Sequence, residues 1–178
     1  VIEARWLFGM PWDRIGVLIH PQAVIHGIVE LSDGSCLAHL GICDMRLPIQ
    51  YALSYPQRWS TTLPRLHWTE LAGLQFFEPD VERFPCLRLA LEAARVGGTA
   101  CTVLSAANDT AVQAYLREDI AFGDIPHIIG QTVAHHEALP HPTFEEILRV
   151  DAWARATAGA AIQSLLRVPS QELRASAR

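Results

Sequence analysis

The sequence predicts an α+β protein: the end of a mixed α/β domain carrying an antiparallel hairpin, then a C-terminal bundle of about four helices. Three observations carry this. Residues 24–31 and 36–40 are rich in Val, Ile and Leu and flank Ser32-Asp33-Gly34-Ser35, where Asp-Gly signals a type I′ hairpin turn. From Asp80 onward apolar residues recur at helical spacing between start and stop signals. Between these lies a stretch rich in Pro, Ser, Thr and Trp.

Residues 1–10 read as a helix stopped by Gly9 and Pro11. The helical pattern starts at Val1 with no cap, so the natural chain is expected to continue upstream. Residues 15–19 read as a short apolar strand. Asp44 is placed to cap a helix through residues 47–53 that stops before Pro56. The segment 56–79 reads as a docked connector, anchored by its aromatic residues, with a last short strand at 74–77. Pro85 sits in the first turn of a helix carrying Leu87, Leu91 and Ala94 and ended by Gly97-Gly98. A second helix is expected over about 100–119, and Asp124 and Pro126 open a third. Thr143 with Glu146 forms a capping box for the fourth. Its apolar face is Ile147, Val150, Ala154, Ala158, Ala161 and Leu165. The polar tail after Pro169 is expected to fray. The division expected is 1–55, 56–79 and 80–178.

A length of 178 residues suits one domain or two small ones. Half the residues are hydrophobic and 19% are charged, as in ordinary soluble globular proteins. A net charge of -5 gives no case for nucleic-acid binding. All 14 basic residues are Arg, so this chain supplies neither a Schiff-base lysine nor a P-loop lysine. Cys36, Cys43, Cys86 and Cys101 form no C-x-x-C pair and lie in or beside apolar segments. Free, mostly buried thiols in a reducing compartment are expected. The chain has no run of 18 apolar residues and no signal-peptide pattern, so no membrane partner is expected.

His20 and His26 are six residues apart, and an even spacing can set both on one face of a strand, although Pro21 intervenes. A histidine here can bond a substrate hydroxyl or carbonyl, or it can be structural; spacing alone favours the structural role. The pair lacks the spacing and the partners of a zinc site. Met45 reads as a core methionine or as a soft wall against a flat ring or a carbon chain. Cys43 has no visible base beside it, which argues against a nucleophile. His135-His136 with His141 reads as a solvated loop. Glu145 and Glu146 point about 100° apart on a helix, so capping explains them better than paired chemistry. Gly97-Gly98 is a helix stop, and no G-x-G-x-x-G follows a strand, so no dinucleotide fold is expected.

Six blocks in order give a family resemblance. I-E-A-R-W-L-F at 2–8, H-P-Q-A-V-I-H at 20–26, D-G-S-C-L-A-H-L-G at 33–41, D-M-R-L-P-I-Q-Y-A-L at 44–53, R-F-P-C-L-R-L-A at 83–90 and A-A-N-D-T-A-V at 106–112 resemble 1-deoxy-D-xylulose 5-phosphate reductoisomerase. The resemblance is collinear and covers nearly the whole chain. It implies NADPH-dependent conversion of a sugar phosphate to 2-C-methyl-D-erythritol 4-phosphate in the non-mevalonate route to isoprenoids. Mg²⁺ or Mn²⁺ would hold the substrate oxygens.

The family's subunits pair as homodimers and have NADPH-binding, catalytic and helical domains. The present chain resembles the end of the catalytic domain plus the helical domain. The metal carboxylates and the NADPH domain are expected upstream of Val1, so neither cofactor is expected to bind this chain tightly by itself. His26 resembles the family's active-site histidine, and Met45 its methionine near substrate and nicotinamide. Ala23 and Cys43 stand in the substrate wall where the family commonly has Ser and Pro. A polar contact is expected to be lost at Ala23, and the wall at Cys43 to be less rigid. The resemblance also implies the bacterial cytoplasm, or a plastid given a transit peptide. The alternative is a non-catalytic helical and dimerisation module.

Overall fold

A computed structural model describes residues 1–71 and 73–167. The chain divides into two compact units: Val17–Pro79 forms one, and the other joins Val1–Gly16 to the chain from Asp80 onward.

In the first unit, β1 (Ile25–Glu30) and β2 (Cys36–Leu40) pair antiparallel, with Glu30 opposite Cys36 and Ile28 opposite Ala38. The turn differs from the type I′ expectation. Leu31 N–H donates to the Ser35 carbonyl (2.8 Å) and Gly34 N–H to the Leu31 carbonyl (3.0 Å), which encloses a three-residue loop. Only Gly34 takes a positive φ there, +82°, whereas type I′ needs two such residues. The Asp33 carboxylate explains the choice. It accepts from the Ser35 N–H (2.9 Å) and hydroxyl (2.6 Å), bonds that also lower its pKa.

The strands expected at 15–19 and 74–77 reduce to one antiparallel bridge between Ile19 and Phe77. Their two mutual hydrogen bonds are 2.8 and 2.9 Å. A turn closed by Ala23 N–H on the His20 carbonyl, with Pro21 inside it, diverts the chain before a ladder can extend. Helix α2 (Arg46–Ser54) follows. Pro48 is tolerated in its first turn, where N–H groups lack helical partners anyway.

The second unit is helical: α1 (Ile2–Phe8), α3 (Pro85–Val96), α4 (Ala100–Leu116), α5 (Asp124–Ala134) and α6 (Phe144–Arg167). Gly9 ends α1 in the left-handed region, φ 60°. Pro85 opens α3. Helix α4 stops three residues short of the expected Asp119. Glu118 takes φ 63°, and Asp119 N–H bonds back to the Ala114 carbonyl (3.0 Å). The capping box forms in both directions. Glu146 Oε2 accepts from Thr143 N–H (2.8 Å), and Thr143 Oγ1 accepts from Glu146 N–H (3.2 Å).

Small residues let these helices approach closely. Ala106, Ala107, Ala111 and Ala114 of α4 and Ala154 and Ala158 of α6 are fully buried, and Ile128, Ile129 and Ile125 of α5 fill the space between. Leu165 departs from the expected face of α6: it is 42% exposed, while Ile162 is buried. Successive residues of α4 meet successive residues of α6, and Ala114 near the end of α4 shares a cluster with Ile162. Beyond that level α4 supplies no chain to cover Leu165.

The cysteines also depart from expectation. Cys36, Cys43 and Cys86 are exposed and only Cys101 is half-buried, with all four free. For Cys36 and Cys43, apolar neighbours on or beside a two-stranded sheet do not provide a covering layer, and Cys86 lies in the first turn of α3. The expected fraying after Pro169 lies outside the described residues. Among the described residues no helix is long and apolar enough to cross a membrane.

Candidate functional site

Antiparallel pairing brings the start of β1 and the chain after β2 to the same open end of the hairpin. Ala23 and His26 lie on the first segment, Cys43 and Met45 on the second. Three local bonds hold this end. Gly41 N–H donates to the Val24 carbonyl (2.9 Å), closing the ladder. His26 Nε2 bonds the Ile42 carbonyl at 3.2 Å. A carbonyl only accepts, so Nε2 carries a proton and donates this bond. Asp44 Oδ1 accepts from the Arg46 backbone N–H at 2.9 Å.

The register breaks between Ile25 and Gly27, so His26 occupies a β-bulge. A bulge leaves one residue without a ladder partner and re-aims its side chain. That frees the His26 imidazole to reach the Ile42 carbonyl and to lie 5.7 Å from the His39 ring, tilted by 49°. His39 was not among the expected residues. Counting pairs outward from Glu30 opposite Cys36 sets His39 against Gly27, one residue from His26, so the register carried that signal.

Ala23 takes φ 50°, a left-handed conformation uncommon for a residue with a Cβ. It closes the turn that brings the chain into β1. Cys43 presents an exposed thiol. Met45 is 70% exposed, so the core reading of this methionine does not hold. Its neighbours on both sides are pinned: the Arg46 guanidinium bonds the Asp44 carboxylate at 2.6 to 3.1 Å. These bonds hold the Asp44 carboxyl at about 2, well below the usual carboxylate range. As an exposed ion pair it adds little stability. Its effect is geometric, since it fixes the backbone that displays Met45.

His20 is set apart from His26. Its Nδ1 bonds the Gln75 carbonyl (2.8 Å), and its ring stacks on Phe76 with centroids 4.9 Å apart. With Pro21, the turn and the bulge between them, period-two counting does not connect the two histidines. In the helical unit His135 Nδ1 bonds the Gln131 carbonyl (2.7 Å) and His136 Nε2 meets Thr99 Oγ1 (2.7 Å). Among the described residues no group of three or more His, Cys, Asp or Glu could hold a metal ion.

Known proteins resemble the chain along nearly all its length. The 1-deoxy-D-xylulose 5-phosphate reductoisomerase of Desulforamulus reducens is 56% identical over 164 residues, covering 92% of this chain and 42% of that protein. The Heliobacterium modesticaldum protein of that name is 53% identical over 155 residues, covering 87% and 40%. Among solved structures, the reductoisomerase of Zymomonas mobilis in complex with NADPH superposes with a TM-score of 0.83 at 41% identity, covering 90% of this chain and 42% of that one. A reductoisomerase in complex with NADPH, fosmidomycin and magnesium gives 0.82 at 40% identity, covering 93% and 43%. The chain thus spans about two-fifths of the length of the relatives it matches. Residues 40–157 match the model of the DXP reductoisomerase C-terminal domain, and the chain belongs to that family.

Proposed function

We propose that this chain is the C-terminal portion of an NADPH-dependent 1-deoxy-D-xylulose 5-phosphate reductoisomerase, comprising the end of its catalytic domain and its bundle of about four helices. The observation that carries this reading is the 56% identity, running over 92% of the chain, to a protein of that name. The complete enzyme would convert 1-deoxy-D-xylulose 5-phosphate to 2-C-methyl-D-erythritol 4-phosphate, with Mg²⁺ or Mn²⁺, in the bacterial cytoplasm. A divalent ion supplies carbonyl polarisation and stabilises an oxyanion. The described residues offer no ligand set for it, so we assign its ligands to the rest of the enzyme and no step to it here.

In this reading His26 donates from its ring to a substrate oxygen, exchanging the Ile42 carbonyl for the substrate. Met45, exposed and pinned by its neighbours, forms an apolar wall against the substrate and the nicotinamide. Ala23 and Cys43 line the same wall. The crowding of these four residues at one end of the hairpin supports the assignment. Val29 and Leu37, exposed on the hairpin at 60% and 64%, support pairing with a second copy.

The test is kinetic. The 178-residue chain alone should give no NADPH-dependent turnover of the sugar phosphate. In the complete protein His26→Ala should lower kcat/KM by about ten-fold or more. Turnover by the isolated chain would refute the division of labour. An unchanged kcat/KM would return His26 to a structural role.

A further inference from the structure

The helical unit holds a polar junction that plays no part in the proposed chemistry. Thr99, in the turn between α3 and α4, is fully buried. Its N–H donates to the Leu139 carbonyl (3.0 Å), and its Oγ1 accepts from the Leu139 N–H (2.9 Å). The same hydroxyl meets His136 Nε2 at 2.7 Å. Gly98 packs against this point so closely that a Cβ there would land on the Leu139 carbonyl. The loop from α5 to α6 is thereby fastened to the start of α4 through one threonine.

The hydroxyl has one proton, and a buried hydroxyl proton without an acceptor is costly. Among the described residues its two partners are the Leu139 N–H, which can only donate, and His136 Nε2. Nε2 must therefore accept, which fixes His136 as neutral with its proton on Nδ1. An imidazolium would set an N–H against the Thr99 O–H and strand the hydroxyl proton.

We propose that His136 is a pH-sensitive latch: protonation of its ring releases the α5–α6 loop from the N-terminus of α4. The surroundings fit. The ring is half-buried and lies 5.3 Å from Trp153 of α6. Glu146 and Arg149 of α6, and His135 at the end of α5, line the cleft beside it. Glu137 on its own loop favours the proton, while burial disfavours it more and lowers the pKa below the ordinary histidine value. From the α3–α4 turn the ring meets the Thr99 hydroxyl, which carries no charge.

The sign follows from linkage. Above about 6.5 the ring is neutral in both folded and unfolded chain, and the latch contributes fully. As pH falls through the lowered folded value the unfolded or open form takes up the proton more readily, and that contribution is lost.

Two measurements on the 178-residue chain test this. Ring nitrogen shifts at pH 7.5 should report the Nδ1–H tautomer at His136; an Nε2–H tautomer would overturn the proposal with no mutation needed. Protection of the Thr99 and Leu139 amides against hydrogen exchange should fall between pH 7.5 and 5, about ten-fold for each pKa unit by which burial lowers the ring. In His136→Gln the amide oxygen accepts the same bond without titrating, so protection should stay flat over that range. An equal fall in the variant and the parent chain would refute the latch.

Discussion

Truncating Ile128 to Ala measures how the helical unit is held together. Ile128 is fully buried in α5, in one cluster with Ala107, Ala111 and Ala114 of α4 and Ala158 of α6. The change removes three carbons, worth about 2.4 kcal/mol at roughly 0.8 kcal/mol each. A cavity term is added, because the facing alanines have no longer side chain to swing into the gap. The total should reach about 3–4 kcal/mol, in the middle of the range for such truncations. At about 2–4 °C per kcal/mol the melting temperature should drop by about 6–16 °C. Urea titration followed by helical ellipticity gives the free energy, and thermal scans give the second reading. Ile128→Val should cost only about 1 kcal/mol. Leu148→Ala, at a position 55% exposed on α6, should stay within about 0.5 kcal/mol. A loss below about 1.5 kcal/mol at Ile128, or an equal loss at Leu148, would show that burial in this alanine-walled core is not what stabilises it.

Thr143→Ala removes the hydroxyl half of the cap of α6, the bond from the Glu146 N–H to Thr143 Oγ1, and should cost about 1 kcal/mol in urea titration. The Thr143 backbone N–H, and then its hydroxyl, lower the Glu146 pKa from its ordinary value of 4.5, so their contribution is present above that value and lost as pH falls through the lowered one; the variant keeps the backbone bond and should lose only part of this acid dependence. Gly98→Ala places a Cβ on the Leu139 carbonyl at φ 51° and should cost about 2 kcal/mol or more. Gly159→Ala, within α6 and with open space around it, should instead stabilise by about 0.5–1 kcal/mol in the same titration.

What the sequence made legible was local. The capping box, Pro85 at the start of α3 and Gly9 at the end of α1 each depend on a few adjacent residues, and each is realised. The departures came where distant chain decides. Residues 15–19 have the composition of a strand, but their partner is Phe77, and only Ile19 aligns with it. Leu165 continues the apolar stripe of α6, yet its burial depends on where α4 ends. The turn at Asp33-Gly34 was signalled as a turn, but its type was settled by the Asp33 carboxylate bonding Ser35.

The candidate site follows the same division. Counting outward from the turn along the antiparallel pair sets Ala23, His26, Cys43 and Met45 at the open end of the hairpin. The bulge could not be counted, because a period-two pattern assumes the ladder is unbroken. That one irregularity decides what His26 can do. In a regular strand its ring would stand perpendicular to the sheet, with no reason to address the Ile42 carbonyl. In the bulge it is held at 3.2 Å from that carbonyl. The pins at Gly41, Ile42 and Asp44 are all backbone-directed and lie within a few residues of one another. A two-stranded hairpin is marginal in water unless something packs on it, and this one exposes apolar residues on successive positions, Ile28 and Val29, and hence on both faces. The aim of His26 is therefore set by bonds within the hairpin, while the rigidity behind that aim depends on whatever covers the two faces.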